Sequence, residues 1–388
     1  MRYPLGVCSP EDLAMKRAVR FQLPEQVQVE GLGIGSGEAV WLGRPAAESL
    51  LGAARRAGLG GEGEDAVSLS AGAVATAATL RAFARRCQAS EGDVVGSLSG
   101  VLGRWSEEAA LGPPARLRYL RGGGQWSEAR EQAAERVVLE GQARELPVPL
   151  ADRPAGRRVA LPWSELGLWS TDHWAGVLWA NLLAMGPWMV GVLLGPRWLA
   201  PLRVLWGIAR TRSLRPEVVA GGLNRLGRGA WVHPSAVVEG CVLGAGAVVD
   251  AGAVVRGSVL GEGARVEPAA LVLGSVLGAG AVVQRHAWAQ FSVLHQGAAH
   301  GGAMQLGVLG PEASVKGGAY LLDQGASRGV RASRGGALYA APLGLLGVGV
   351  GRGALVASGV WVAPGRTVPP GAVLLPRPGL VLRPEDQA

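Results

Sequence analysis

The chain has 388 residues, enough for two or three domains with ample buried core. Its formal net charge is +8, yet Lys16 and Lys316 are its only lysines, so the basic character comes almost entirely from arginine. No run of basic residues is interleaved with aromatic ones, which argues against nucleic acid as a partner. The excess positive charge instead suits phosphate-bearing ligands or an anionic membrane surface.

The cysteines are too few and too widely spaced for a disulfide framework or a metal-binding pattern; they are Cys8, Cys87 and Cys241. The five histidines add no metal-binding spacing, so the sequence predicts no metal site. The opening stretch, MRYPLGVCSPEDLAMKR, holds no apolar segment of the kind that a secretory signal needs. We therefore expect a cytoplasmic protein, with membrane association left open by a tryptophan-rich segment further along the chain.

Residues 1–160 are predicted to form an α/β domain. A short strand at Val27–Val29 is followed by four alternate glycines, Gly31, Gly33, Gly35 and Gly37. A glycine-rich turn after a strand can hold a phosphate when a helix follows it, but here the next residues, 39–42, have the pattern of a second strand. We therefore predict an ordinary glycine turn between two strands.

The stretch GRPAAESLLGAARRAGL, residues 43–59, predicts a capped amphipathic helix that ends at a glycine. It resembles the sugar nucleotidyltransferase family, whose members carry a similar Gly-x-Pro helix ending in Ala-Gly. A second stretch, DHWAGVLWANLL at 172–183, is similar to the helix that joins the nucleotidyltransferase fold to a β-helix tail in that family. The resemblance implies a nucleotidyltransferase-like domain.

The chain departs from that family where the family's chemistry lies. Its members begin with a glycine-rich loop carrying an arginine, followed by a lysine, and these hold the nucleotide phosphates; an aspartate binds the metal. Residues 1–41 contain no such loop, and Asp93 is the only candidate aspartate. Without these groups nothing stabilises a departing pyrophosphate. We therefore predict a degenerate domain without pyrophosphorylase activity.

Residues 161–222 are predicted to be a tryptophan-rich helical connector. No charged residue occurs from Trp174 to Pro196, a length sufficient to span a membrane, but Asn181 and Pro187 argue against a continuous span. The arginines that follow, interleaved with Trp and Leu, suit a helix lying in a lipid interface and equally suit helices buried between domains or subunits. The predicted membrane or partner contacts are Trp174, Trp179, Trp188, Trp198 and Trp206.

Within a domain predicted to span residues 223–378, the stretch from Val232 to Leu294 repeats with a period of 17, in steps of 6, 6 and 5 residues, and the register breaks after Leu294. Three series of aliphatic residues recur: Val232, Val249, Val266 and Val283; Val238, Val255 and Val272; Leu243, Leu260, Leu277 and Leu294. Fixed-period self-similarity of this kind predicts a solenoid whose coils stack into a three-sided prism. A glycine- and arginine-rich insertion near 323–345 interrupts the repeat and is predicted to be a loop.

The repeat resembles the hexapeptide-repeat, left-handed parallel β-helix family. The resemblance implies the left hand, a homotrimer or other homo-oligomer, and a kinship with acyltransferases or with the tails of sugar nucleotidyltransferases. Acyltransferases of this family use a histidine as general base, at a groove between subunits.

The candidate bases are His286, His295 and His300, which lie where the register of the repeat breaks. An orienting carboxylate would have to come from Glu312 or Asp323. Arg328, Arg331 and Arg334 in the insertion could grip a phosphate of acetyl-coenzyme A or of a nucleotide sugar. The alternatives are exposed turn histidines and a solvated loop.

Three hypotheses follow for the function. The first is a nucleotidyltransferase-like protein with a β-helix tail that binds a sugar phosphate or nucleotide, or acts as an assembly subunit. The second is an acyltransferase that works at the break in the repeat. The third is a membrane-apposed scaffold anchored by the tryptophan-rich segment.

Overall fold

The computed structural model describes residues 18–61, 63–148, 159–196, 198–324 and 329–376. An α/β domain and a parallel β-solenoid pack against each other and are joined by a helical connector. The strands of the α/β domain are β1 (Val19–Phe21), β2 (Gln28–Val29), β3 (Ile34–Gly35), β4 (Val40–Trp41), β5 (Arg44–Pro45), β6 (Asp65–Leu69), β7 (Ala73–Ala75), β8 (Val94–Leu98), β9 (Leu117–Leu120), β10 (Glu135–Leu139), β11 (Arg144–Val148), β12 (Val159–Trp163) and β13 (Leu168–Ser170). Its helices are α1 (Ala46–Ala57), α2 (Ala77–Cys87), α3 (Gly100–Ala110) and α4 (Glu128–Ala133).

The α/β domain is built on a five-stranded mixed sheet with the order β1-β6-β9-β8-β10. Strand β1 runs parallel to β6 and β8 runs parallel to β10, whereas the central strand β9 is antiparallel to both of its neighbours. Helix α1 packs on α2. The sheet and helices account for the predicted α/β domain.

Helix α1 confirms the helix predicted for residues 43–59. Its buried residues are spaced at three and four positions and include Leu50, Ala53, Ala54 and Ala57. Glu48 in the first turn and two arginines in the last turn complement the helix dipole. Gly58 ends the helix in the left-handed conformation, with φ of 83°.

The glycine turn is a contact surface for the solenoid. A Cβ at Gly31 would lie 2.8 Å from Thr367 Cγ2, and one at Gly33 would lie 2.6 Å from Pro370 Cγ. The backbone of the turn therefore approaches the last coils more closely than any side chain would allow. The prediction of one turn between two strands is confirmed in part: β4 follows the glycines, but β3 lies among them and pairs with β2.

The connector consists of α5 (Trp174–Leu194), α6 (Ala200–Thr211) and α7 (Pro216–Gly221). The prediction that Pro187 divides the first helix is wrong: α5 continues through it. We attribute this to packing, because α5 is apolar and contacts α3, the solenoid and the α/β domain, which offsets the loss of one backbone hydrogen bond. By length and composition α5 could cross a membrane, but half of its apolar window is buried inside the protein.

The solenoid confirms the predicted 17-residue repeat. Val232, Val249, Val266 and Val283 are successive partners in one parallel ladder.

The three faces of the solenoid are defined by their strands. Face 1 comprises β14 (Arg225–Leu226), β17 (Val242–Leu243), β20 (Val259–Leu260), β23 (Val276–Leu277), β26 (Val293–Leu294), β29 (Val308–Leu309), β34 (Gly349–Val350) and β37 (Thr367–Val368). Face 2 comprises β15 (Trp231–Val232), β18 (Val248–Val249), β21 (Arg265–Val266), β24 (Val282–Val283), β27 (Ala299–His300), β30 (Ser314–Val315), β35 (Leu355–Val356) and β38 (Val373–Leu374). Face 3 comprises β16 (Val237–Glu239), β19 (Val254–Arg256), β22 (Leu271–Leu273), β25 (Trp288–Gln290), β28 (Ala303–Gln305), β31 (Tyr320–Leu321) and β36 (Trp361–Val362).

Two irregularities mark the middle of the solenoid. Between faces 2 and 3 the inward residues are normally six positions apart, but only four separate His300 from Met304, because Gly301 and Gly302 make a shortened turn. The predicted loop near 323–345 is wrong in part, since it contains a hairpin, β32 (Arg331–Arg334) and β33 (Ala337–Ala340). Two glycines with positive φ, Gly335 and Gly336, form its turn.

Face 1 is covered by the rest of the chain. Its outward residues Val259, Val276, Val293 and Val308 are buried and belong to the same apolar cluster as the core of the α/β domain. The inward residues form a separate cluster within the prism. Each of these strands is therefore apolar on both sides, and the hydrophobic effect holds the two bodies together.

Candidate functional site

The three candidate histidines occupy three different environments. His295 lies at the corner between faces 1 and 2, His300 points into the prism from face 2, and His286 lies at the corner between faces 2 and 3. His295 and His300 are fully buried, whereas His286 is exposed. Their closeness along the sequence does not bring them together on one surface.

His300 takes the place of an inward aliphatic residue, between Val283 and Val315 in the ladder. Its Nε2–H donates to the Trp288 carbonyl at 3.0 Å, and its Nδ1 is buried without a partner among the described residues. Burial lowers the pKa of this imidazole to about 4, with the carbonyl contacts acting weakly in the opposite direction. The ring is neutral at physiological pH and braces the shortened coil from inside.

His295 stands where the neighbouring coils have Gly278 and Gly310. Its Nδ1–H donates to the Leu309 carbonyl at 2.8 Å, and its Nε2 is buried and has no partner in the part of the chain that the structure describes. Burial lowers its pKa to about 4, and the positive charge of Arg352 acts in the same direction. This side chain is also closed off from solvent.

His286 is the exposed member of the group. Its φ is 59°, in the left-handed region, and its backbone N–H donates to the Pro268 carbonyl of the preceding coil at 3.2 Å. The following coil passes this corner through the shortened Gly301–Gly302 turn, so the neighbour that would cover the imidazole in a regular coil lacks two residues. The half-exposed side chain of Trp288 begins face 3 next to it. The exposed imidazole therefore lies beside a turn that is two residues shorter than the corresponding turns of the other coils.

The expected orienting carboxylates do not lie at that corner. Glu312 belongs to the corner between faces 1 and 2, where its N–H donates to the Gln296 carbonyl, and Asp323 follows face 3 at the start of the insertion. The carboxylate near His286 is Glu267, whose Oε2 accepts the backbone N–H of Arg285 at 3.0 Å.

The arginines predicted to bind phosphate fall into three situations. Arg328 lies outside the described residues, and Arg331 is exposed on β32. Arg334 donates to the Asp172 carboxylate at 2.6 Å and to the Ala110 carbonyl at 2.6 Å, so its guanidinium fastens the hairpin to the α/β domain.

Sequence reasoning missed the groups that complete this contact. Glu30 accepts the Gly335 N–H at 2.9 Å, and His173 Nε2 lies 3.2 Å from the Ser333 carbonyl. His173 is also the N-cap of α5, with its Nδ1 accepting the Ala175 N–H at 3.1 Å. The available signal was the Asp-His pair immediately before a long apolar helix, because such polar residues cap helices.

Asp93, the candidate for the metal-binding aspartate expected of a nucleotidyltransferase, is paired with Arg130. Asp93 accepts hydrogen bonds from Arg130 Nε at 2.5 Å and Arg130 Nη2 at 2.8 Å, and also from the Arg121 N–H at 2.9 Å. It precedes β8, at the amino end of that strand, whereas ligands of parallel sheets bind beyond the carboxyl ends. Within the described ranges, no group of three His, Cys, Asp or Glu could hold a metal ion.

The five tryptophans predicted to contact a membrane or a partner differ in their burial. Trp174 and Trp179 are buried in the chain's own core, and Trp188 is half-buried. Trp198 and Trp206, which flank and belong to α6, are exposed over 75 % and 65 % of their surface. The described residues therefore cover the first half of α5 and leave Trp198 and Trp206 exposed.

No family model and no curated protein matches the chain in sequence. Solved structures that resemble it include a Bacillus cereus protein provisionally assigned as an acetyltransferase, with 16% identity over 42% of this chain and 81% of that one, at a TM-score of 0.25. Perosamine N-acetyltransferase from Caulobacter crescentus matches at 17% identity over 36% and 50% of the two chains, with a TM-score of 0.22. The acetyltransferase domain of PglB from Neisseria gonorrhoeae matches at 20% identity over 39% and 53%, with a TM-score of 0.17. Identities and TM-scores as low as these give no information on activity. The chain folds as a parallel β-solenoid of the hexapeptide-repeat type with an α/β domain packed on one face.

Proposed function

We propose that the protein is an acyltransferase of the hexapeptide-repeat class, with His286 as its general base. The observation that carries the proposal is the exposed imidazole of His286 beside the shortened turn at Gly301–Gly302. Among the three candidates, it alone has a ring that a substrate can reach.

The reaction would move an acyl group from a thioester to a hydroxyl or amine. His286 would take the proton from the acceptor as its oxygen or nitrogen attacks the thioester carbonyl, and the C–S bond would break to release a thiolate. Imidazole suits this role because one ring nitrogen can accept the proton of the acceptor. Acetyl-coenzyme A is the donor that the solenoid class implies, and a nucleotide sugar is a suitable acceptor.

A second subunit would complete the site. The outward column of face 3 is apolar and partly exposed, and its most open positions are Val237, Trp288, Tyr320 and Trp361. We propose a homotrimer in which this column meets a neighbouring copy and His286 lines the groove between them.

The test is thioester consumption, followed with a thiol reagent, in the presence of acetyl-coenzyme A and a panel of amino and hydroxy sugars and their nucleotide derivatives. His286→Ala is expected to lower the turnover at least about 100-fold, the usual contribution of a general base. His233→Ala is the matched control, because His233 also follows a face 2 strand but lies beside a coil of regular length. Equal activity of His286→Ala and the wild type would exclude the proposal.

A second candidate function belongs to the α/β domain. We propose that it is nucleotidyltransferase-like but catalytically degraded, and that it serves as an assembly or ligand-binding unit. The pairing of Asp93 with Arg130 supports this, because a carboxylate held by a guanidinium fork is a poor metal ligand. A thermal-shift panel of nucleotides and sugar phosphates tests it: stabilisation without pyrophosphate release is expected, and formation of a nucleotide sugar would contradict it.

A further inference from the structure

Helix α6 presents an apolar face that no described residue covers. Trp198, Leu202, Leu205 and Trp206 recur at helical spacing, and their exposed fractions are 75 %, 60 %, 60 % and 65 %. Three large apolar side chains on one face of α6, together with Trp198 in the turn before it, form a patch that is costly to keep in water.

The opposite side of α6 is anchored. Gly207 is buried, and a Cβ there would lie 3.0 Å from Val219 Cγ1 of α7 and 3.3 Å from Leu223 Cδ2. Arg203 Nη1 donates to the Leu193 carbonyl near the end of α5 at 2.9 Å. The exposed face is therefore presented by a helix fixed to the body of the protein.

The charged residues of this segment of the chain have one sign. Between His173 and Glu217 the sequence contains no Asp or Glu and five arginines: Arg197, Arg203, Arg210, Arg212 and Arg215. The last three are exposed at and beyond the end of α6. Apolar residues flanked by arginines and tryptophans match the boundary between lipid chains and anionic headgroups.

The patch lies at one end of the solenoid. Helix α7, on which α6 rests, packs on β16 in the first coil. That coil exposes further apolar side chains, Leu226 and Trp231. The same end of the prism thus carries apolar surface on the connector and on the first coil.

We propose that α6 is an interfacial helix that docks the protein on an anionic membrane surface, with the first coil of the solenoid towards the bilayer. The Trp198–Trp206 face enters the boundary between headgroups and chains, and Arg210, Arg212 and Arg215 contact lipid phosphates. Docking is peripheral, because the first half of α5 is fixed in the protein: Asn181 Nδ2 donates to the Val40 carbonyl at 2.7 Å, and its Oδ1 accepts the Leu42 N–H at 2.8 Å. This inference does not depend on the proposed acyltransferase activity.

Sedimentation of the full chain with vesicles tests the proposal. The wild type is expected to pellet with vesicles of phosphatidylcholine and phosphatidylglycerol, and to pellet much less with phosphatidylcholine alone or at high salt. Replacing Leu202, Leu205 and Trp206 by Ser should lower the partition at least about tenfold. Arg210→Gln with Arg212→Gln should lower it roughly 30-fold on anionic vesicles.

The control is Leu338→Ser, which removes from strand β33 a leucine that is exposed to nearly the same extent as Leu202 and Leu205. It should pellet like the wild type, and circular dichroism should show all variants folded. The proposal is overturned if the wild type stays in the supernatant, or if the triple serine variant still pellets. It is also overturned if light scattering shows that the serine changes dissociate an oligomer, since the patch would then be a contact between copies of the chain.

Discussion

Two buried imidazoles should make the stability of this protein fall as the pH drops below neutrality. Burial lowers the pKa of both His295 and His300 from 6.5 to about 4. In the unfolded chain each ring takes up a proton near pH 6.5, whereas in the folded chain each stays neutral until much lower pH. Unfolding therefore takes up protons between these values, so acid favours the unfolded state.

The size of this loss of stability follows from the pKa of each imidazole in the unfolded and in the folded chain. Each imidazole is expected to cost about 2 kcal/mol of stability between about pH 7 and pH 5, or about 4 kcal/mol for the pair. The stabilisation is fully present above pH 6.5 and is lost progressively towards pH 4. Each ring also has one buried nitrogen without a partner within the described ranges, so a proton placed there would meet no acceptor from those residues.

The assay is thermal unfolding of the full chain across this window, compared with a variant that carries the residues of the neighbouring coils, His295→Gly with His300→Val. The variant should lose most of the pH dependence, whatever its stability at neutral pH. His233→Gln and His286→Gln should keep it, because those side chains are not buried. A wild-type midpoint that is constant from pH 7 to pH 5, or a double variant that follows the wild type, would refute the argument.

Two further substitutions test the packing. Gly302→Ala should lower the unfolding midpoint by several degrees, because the added Cβ would overlap the Ala319 carbonyl. Gly92→Ala should be tolerated, since no described residue lies within 4 Å of its Cβ position. Asn181→Leu should destabilise by about 2–4 kcal/mol in chemical denaturation, because two buried backbone groups lose their partner; an unchanged midpoint would contradict the hydrogen bonding described above.

The solenoid could be predicted from the sequence because its inward residues are strictly periodic. The pairing of Val249 with Val266 follows directly from the 17-residue spacing, since one coil stacks on the next. Local patterns also identified α1 and its terminal glycine. These features depend on residues close together in the chain or repeated at fixed intervals.

The environments of the histidines could not be predicted in the same way. His295 is covered because the α/β domain packs over its corner, where the Leu32 carbonyl accepts the Arg352 N–H at 2.9 Å. That cover comes from residues far away in the sequence. One signal was present but unused: Val242, Val259, Val276, Val293 and Val308 immediately precede the inward leucines, so these strands are apolar on both sides, which indicates a covered face.

The close packing of the α/β domain on face 1 also limits the insertion and deletion of coils in the solenoid. A Cβ at Gly43 would lie 2.9 Å from Val259 Cγ1 on β20, and the Gly31 turn meets Thr367 on β37, five coils further on. These two attachments are separated by about 24 Å along the prism axis at strand spacing. Solenoids ordinarily gain or lose whole repeats, but one coil inserted between these points would displace one attachment by about 4.8 Å relative to the other. The α/β domain therefore fixes the number of coils that the solenoid can have between these two contacts.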